Sequence, residues 1–235
     1  MKLIIDGLKK SFGNKEVLKD ISISFEEGKI YGLLGRNGAG KTTFFNILNE
    51  DLEKDKGEFY LEENKKKRKI TYDDIGYVLS TPVVPEFLTG REFLKFFIDI
   101  NKDNITNLKT IDEYFDLVRI DSSDRDKLMK DYSHGMKNKL QMLVYIIMSP
   151  KILLLDEPLT SFDVVVAEEM KELLKTLKKD HILIFSTHIM ELALDLCDEI
   201  VVLNNGVMEY IYKADLNDKD FKNKIIDILK GEEDV

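Results

Sequence analysis

The sequence has no tryptophan, one cysteine, 4 prolines and 3 histidines in 235 residues. Cys197 has no second cysteine to pair with, which excludes an intrachain disulfide and fits a reducing cytosol. No apolar run approaches the roughly 20 residues needed to cross a bilayer. The richest, Leu143–Met148 and Ile152–Leu155, are short enough to be core elements. The opening MKLIIDGLKK lacks the apolar stretch of a secretion signal, so nothing there suggests export. If the protein acts at a membrane, another chain must supply the spanning part. Positive charge is also in deficit. The net charge of −9 repels phosphate backbones and argues against general nucleic-acid binding. What is present, 43% hydrophobic and 34% charged residues, suits a folded soluble chain with one large domain or two lobes. One basic run, Lys65-Lys66-Lys67-Arg68-Lys69, reads as a solvated turn between two strands. Contact with acidic lipid headgroups or a partner is the alternative.

The first 34 residues read as strands. Ile21, Ile23 and Phe25 alternate with polar residues, and Gly13-Asn14 separates two β-like runs as a hairpin would. Lys29–Leu34 is a buried strand running into glycine, and Thr42–Asn49 reads as a helix. Glu58–Leu61 and Ile70–Leu79 are expected strands on either side of the basic turn. From Gly90 to Met148 the spacing turns helical: Phe93, Leu94, Phe97 and Ile98 share one face, as do Tyr114, Phe115 and Val118. Strand and helix then alternate through Ile152–Leu155, Val164–Lys178, Ile182–Ser186, Ile189–Leu196 and Ile200–Leu203, the rhythm of a parallel sheet wrapped by helices. Ala214–Lys230 reads as one amphipathic helix.

Gly35-Arg36-Asn37-Gly38-Ala39-Gly40-Lys41-Thr42 matches G-x-x-x-x-G-K-[ST] in the required setting, a buried strand before and a helix after. Glycines let the backbone curl with its N–H groups inward, and the helix N-terminus adds positive potential beneath a phosphate chain. Lys41 brings a point charge to the outer phosphates, and Thr42 offers a hydroxyl to Mg²⁺. These residues predict nucleotide binding. Downstream, Ile152–Leu155 runs into Asp156 and Glu157, two carboxylates at the strand end where parallel sheets place ligands. Asp156 can hold Mg²⁺ through water, and Glu157 can orient a water for attack on a γ-phosphate. The bland alternative is two solvated acids capping a strand. Other residues are plainer when taken alone. Ser133 reads as the N-cap of a helix carrying Leu140, Leu143, Val144 and Ile147, His188 as a structural histidine, and Phe12 as core.

Together these residues resemble the nucleotide-binding domain of ABC transporters along essentially the whole chain. Gly35–Thr43 resembles its Walker A motif, Ile152–Glu157 its Walker B, and Tyr132-Ser133-His134-Gly135-Met136 a variant of its LSGGQ signature. Leu159–Asp163 resembles its D-loop, and His188, after Phe185-Ser186-Thr187, its switch histidine. Phe12 lies where the family has an aromatic that stacks on adenine.

The resemblance implies an α/β fold: a P-loop NTPase (RecA-like) core with a mostly parallel sheet, an N-terminal antiparallel β-subdomain and an inserted α-helical subdomain. It implies one domain over 1–235, with core and β-subdomain in 1–80 and 150–210, the helical part in 81–135 and a short C-terminal helix in 212–235. It implies ATP and Mg²⁺ as ligands, with Phe12 and Gly35 through Thr43 (Gly35, Arg36, Asn37, Gly38, Ala39, Gly40, Lys41, Thr42, Thr43) around the nucleotide. Ser133 and Gly135 would complete the site of a second copy. Thr42, Asp156 and Ser80 would lie at the metal, and Glu157 and His188 would be catalytic. Its partners would be a second ABC ATPase subunit, identical or paralogous, and an integral membrane permease that holds this cytoplasmic chain at the inner face of the membrane.

Three departures from the pattern stand out. Ser80 replaces the glutamine usual after Ile75–Leu79, His134 replaces the first signature glycine and Tyr132 its leucine, and Thr160–Asp163 is a loose D-loop. They resemble the group that serves ABC-2-type exporters. Two rivals follow: a soluble ABC ATPase with an assembly role, and another P-loop enzyme such as a small-molecule kinase.

Overall fold

The computed structural model describes residues 1–159, 164–211 and 218–230. Strand β1 (Lys2–Phe12) pairs antiparallel with β2 (Lys15–Glu26) through the expected turn at Gly13-Asn14. It pairs on its other side with β4 (Lys56–Glu63). The inward residues Leu3, Ile5, Leu8, Ile21, Phe25 and Leu61 are buried, so the alternation in the sequence becomes one apolar face of a four-stranded antiparallel sheet.

The basic run departs from expectation. Only Asn64 and Lys65 form the turn, both left-handed at φ 51° and 62°. Lys66–Arg68 is strand β5, in which Lys66, Lys67 and Arg68 lie opposite Glu63, Glu62 and Leu61 of β4. Acids draw it into the sheet: Lys67 pairs with Glu58, and Arg68 with Glu63 and Asp74. The single strand expected over Ile70–Leu79 is also interrupted. Thr71 and Asp74 form a reciprocal capping box around a 3₁₀ turn at Tyr72–Asp74, and of this stretch Ile75–Val78 alone forms a strand, β6.

The second sheet carries β3 (Ile30–Leu34), β7 (Ile152–Asp156), β8 (Ile182–Thr187), β9 (Glu199–Asn204) and β10 (Val207–Ile211) beside β6, in the order β10-β9-β3-β8-β7-β6. All neighbours are parallel except β9 and β10. Strands β3, β7 and β8 are buried along their whole length, which explains their unbroken apolar runs. Helix α1 (Lys41–Leu48) packs Phe44, Phe45, Ile47 and Leu48 between the two sheets. The fold is therefore the α/β architecture expected.

Helices α2 (Gly90–Asn101), α3 (Ile111–Leu117) and α4 (His134–Met148) share a separate core built from Leu94, Tyr114, Phe115, Met129, Leu140 and Leu143. Thr89 and Thr110 start α2 and α3 with capping boxes to Glu92 and Glu113. Helix α5 (Val164–Leu177) buries Met170 and Leu174 against the sheet, and α6 (Met190–Leu196) buries Ala193 and Leu196. Of the expected C-terminal helix, Asp218–Lys230 forms α7, which buries Ile225 beside Leu34 and Val202; residues 212–217 lie outside the described part. Among the described residues, no helix is long and apolar enough to cross a membrane.

Candidate active site

Four strands deliver their carboxyl ends to one edge of the parallel sheet. Leu34 lies beside Thr187, Asp156 beside Ser186, and Val78 beside Leu155. The phosphate loop, the Asp156-Glu157 pair and the Thr187-His188 turn are thus gathered by parallel register. This is the edge at which doubly wound sheets bind ligands.

The phosphate loop leaves β3 at Gly35 and enters α1 at Lys41. Gly38 and Gly40 sit at φ 80° and 109°, where side chains with a Cβ are strained. A Cβ on Gly40 would also lie 2.9 Å from Cγ1 of Val17. The first turn of α1 has no acidic residue, so its free N–H groups keep their positive potential for an anion. Lys41 is only 6% exposed. Its ammonium donates to the carbonyls of Gly35 (2.9 Å) and Arg36 (3.3 Å) and lies 3.6 Å from Oε1 of Glu157.

A pocket of about 380 Å³ opens over this loop, lined by Phe12, Lys15, Val17, Asn37, Gly38, Gly40, Lys41, Thr42, Thr43 and Glu157. Phe12 is half exposed at its rim, where Lys10 lies 5.4 Å from the ring centre. An exposed aromatic beside a phosphate loop fits a stacking partner better than a core residue. Arg36 and Ala39 face an adjoining pocket of about 400 Å³ together with Asn37, Gly38 and the Asn204–Gly206 turn. Lys15 and Val17 carry no motif in the sequence; they reach the pocket because the β1–β2 hairpin folds over the loop.

Asp156 is buried and surrounded by hydroxyls. Ser186 donates to Oδ1 at 2.5 Å, Thr42 donates to Oδ2 at 2.9 Å, and the Tyr77 hydroxyl stands 3.5 Å from Oδ2. Burial, reinforced by the Asp156 charge, pushes the Tyr77 phenol well above its ordinary value, so it stays protonated. A carboxylate oxygen beside the Thr42 hydroxyl, which lines the phosphate pocket, fits Mg²⁺, a hard cation that takes few protein ligands and completes its shell with phosphates and water. Among the described residues, no group of three or more His, Cys, Asp or Glu side chains forms a separate metal cluster. Ser80 does not join Thr42 and Asp156. It is exposed, two residues beyond the end of β6, and does not line the pocket.

Glu157 follows with φ 48°, a left-handed conformation that costs a non-glycine residue about 1–2 kcal/mol. It is held from both ends: its N–H donates to Ser186 Oγ at 3.0 Å, and both carboxylate oxygens lie 3.1 Å from Nδ1 of His188. Ser186 is not legible as a site residue in the sequence, because a serine inside an apolar strand has no spacing signal. The other two histidines differ from His188. His181 is buried with Nδ1 at 2.5 Å from the Pro150 carbonyl, and His134 pairs with Asn138 at 3.1 Å.

Ser133 and Gly135 are not brought to this pocket. Ser133 is the N-cap of α4, accepts the Met136 N–H at 3.2 Å, and is exposed, with Gly135 in the helix's first turn. Residues 160–163, which carry the D-loop resemblance after Leu159, lie outside the described part.

The ABC transporter family profile matches residues 18–160. The chain is 31% identical over 234 residues to the uncharacterized ABC transporter ATP-binding protein YdbJ of Bacillus subtilis, covering 98% of this chain and 75% of YdbJ. Two further relatives have different cargoes in their names. The probable sulfate/thiosulfate import ATP-binding protein CysA of Chlorella vulgaris is 30% identical, over 91% of this chain and 92% of CysA. The lantibiotic transport ATP-binding protein SrtF of Streptococcus pyogenes is 29% identical, over 95% and 97%. In fold, the chain matches the ADP conformation of the ATP-binding cassette MJ1267 with a TM-score of 0.78 at 21% identity, over 98% of both chains. With its phosphate loop and paired carboxylates at one sheet edge, the chain belongs to the ABC transporter family as an ATP-binding, ATP-hydrolysing subunit.

Proposed function

We propose that this ATPase works as a head-to-tail dimer with Mg²⁺, driving a separate membrane permease in the direction of export. The observation that carries the dimer is a separation within one chain. Phosphate loop, Asp156, Glu157 and His188 share one edge, whereas Ser133 and Gly135 present an exposed helix N-terminus elsewhere. A helix start is a ready anion site. In a two-fold pair, each copy's α4 would cap the γ-phosphate held by the other.

The chemistry follows from the side chains. Lys41 exchanges its carbonyl and Glu157 contacts for the outer phosphates. Thr42 and Asp156 would hold Mg²⁺, which when bound supplies charge neutralisation at the phosphate oxygens. Glu157 accepts a proton from the attacking water while His188 fixes its carboxylate. Loss of the γ-phosphate removes the charge shared by the two faces, and the pair opens.

Motion would reach the permease through the surface after β6. Val83 and Phe87 are 74% and 79% exposed, and Glu86 is anchored to α4 by Lys137 at 2.8 Å. Next to it, Gly90 is buried against Tyr132, and Arg91 is tied to Asp112 and Asp126. Export rests on the departures at Ser80, Tyr132 and His134, which resemble the ABC-2-type group. The test is to express the chain together with a candidate six-helix membrane protein from a neighbouring reading frame. Co-purification from membranes, ATPase stimulation by the permease and substrate leaving the cell support the reading. A chain that stays in the soluble fraction with unchanged ATPase would favour an assembly role.

A further inference from the structure

We infer that Ser186 is a positioning residue that sets both acidic groups of the hydrolytic site from a single hydroxyl. The inference rests on the proposed roles of Asp156 and Glu157. Ser186 is fully buried in β8, directly beside Asp156 in parallel register. Its hydroxyl has one proton and can accept as well as donate. A carboxylate can only accept and an amide N–H can only donate, so the directions are fixed. Ser186 gives its proton to Asp156 Oδ1 at 2.5 Å and accepts the Glu157 N–H at 3.0 Å.

Two consequences follow. Oδ1 of Asp156 is occupied within the protein, which turns Oδ2 toward Thr42 and the metal position. The N–H of Glu157 is anchored where the backbone is left-handed at φ 48°, and this aims its carboxylate at His188. The same strand then carries Thr187, whose carbonyl accepts the Gly35 N–H at 3.3 Å and whose hydroxyl accepts the Ile189 N–H at 3.0 Å. Ser186 thus joins the Asp156 carboxylate to the backbone of the proposed base by two directed hydrogen bonds, on the strand that leads into His188. A residue that orients a metal-binding carboxylate is commonly worth about 10–100-fold in metal affinity or activity.

The experiment compares Ser186→Ala and Ser186→Cys with the parent protein. Cysteine keeps the volume but is a weak donor and acceptor. The readouts are the Mg²⁺ concentration that half-saturates binding of a fluorescent ADP analogue, the same analogue's affinity in EDTA, the melting temperature, and kcat and KM for ATP. Both variants are expected to raise the Mg²⁺ half-saturation by about tenfold and to lower kcat more than they change KM, with affinity in EDTA unchanged. If Ser186→Cys behaves as the parent, the residue only fills space and the inference is overturned, whatever Ser186→Ala does. Should the alanine protein fail to fold, the cysteine protein decides alone. Parent protein and Glu157→Gln run alongside. A parent that does not respond to Mg²⁺, or a Glu157→Gln protein with full turnover, would sink the proposed function itself, and this outcome is distinct from a silent Ser186 change.

Discussion

Both carboxylate oxygens of Glu157 lie 3.1 Å from Nδ1 of His188. The two residues directly follow β7 and β8, so their meeting is a product of the β7–β8 register. The contact turns one ring nitrogen toward the carboxylate and the other away from it. Replacing His188 by alanine removes this contact, while the Glu157 N–H keeps its anchor on Ser186 and the carboxylate its neighbour Lys41. Turnover should fall at least tenfold while ADP affinity stays near the parent value, as steady-state kinetics and ligand titration would reveal.

Glu157→Gln keeps an oxygen for His188 but removes the base. Turnover should drop by about 10²–10⁴-fold with ATP still bound. Size-exclusion chromatography with ATP should then give a stable dimer. A variant that hydrolyses ATP at the parent rate would refute the assignment of the base.

Lys41→Ala acts earlier, on binding. The ammonium sits against Gly35 and Arg36 and is the cation buried in the phosphate loop. The thermal shift caused by ADP in the parent should vanish in the variant. An undiminished shift would mean that the outer phosphates are held by other groups.

Gly90→Ala tests the link between α2 and the signature. A Cβ there would lie 2.2 Å from the Tyr132 hydroxyl, which donates to the Asp124 carbonyl at 3.0 Å. Tyr132 immediately precedes Ser133, so the clash should displace the N-terminus of α4. The expected cost is about 1–3 kcal/mol by urea unfolding. Turnover should fall while ADP affinity holds, because the phosphate loop is untouched.

Asp74 should make part of the stability pH-dependent. Burial raises its carboxyl, but Arg68 and the Thr71 N–H and hydroxyl outweigh burial and hold it below the usual carboxylate range. A lowered folded value means the contribution is present above the unfolded value, about 4, and is lost as pH falls through the folded one. The gap in urea midpoint between parent and Asp74→Asn should be widest near neutrality and close in acid.

The phosphate loop, the apolar strands and the two strand-end acids were legible because each is a local pattern: a spacing, a run or a run that ends in charge. Strand β5 was not legible. Lys66, Lys67 and Arg68 have no apolar alternation, and only pairing with β4 and its acids makes them a strand. The break in Ile70–Leu79 was hidden for a related reason, since the Thr71–Asp74 capping box looks like ordinary polar sequence. Lys15, Val17 and Ser186 reach the site through a hairpin fold-over or a strand register, neither of which leaves a trace along the chain.

The sequence by itself determined which groups can grip a triphosphate, because glycine freedom, a lysine charge and a buried strand ending in acids are local properties of adjacent residues. Tertiary structure alone decided how those groups meet. Register between parallel strands put one serine hydroxyl between Asp156 and Glu157 and brought His188 to the base. These distances depend on which strands lie side by side, a choice made by packing of the whole sheet.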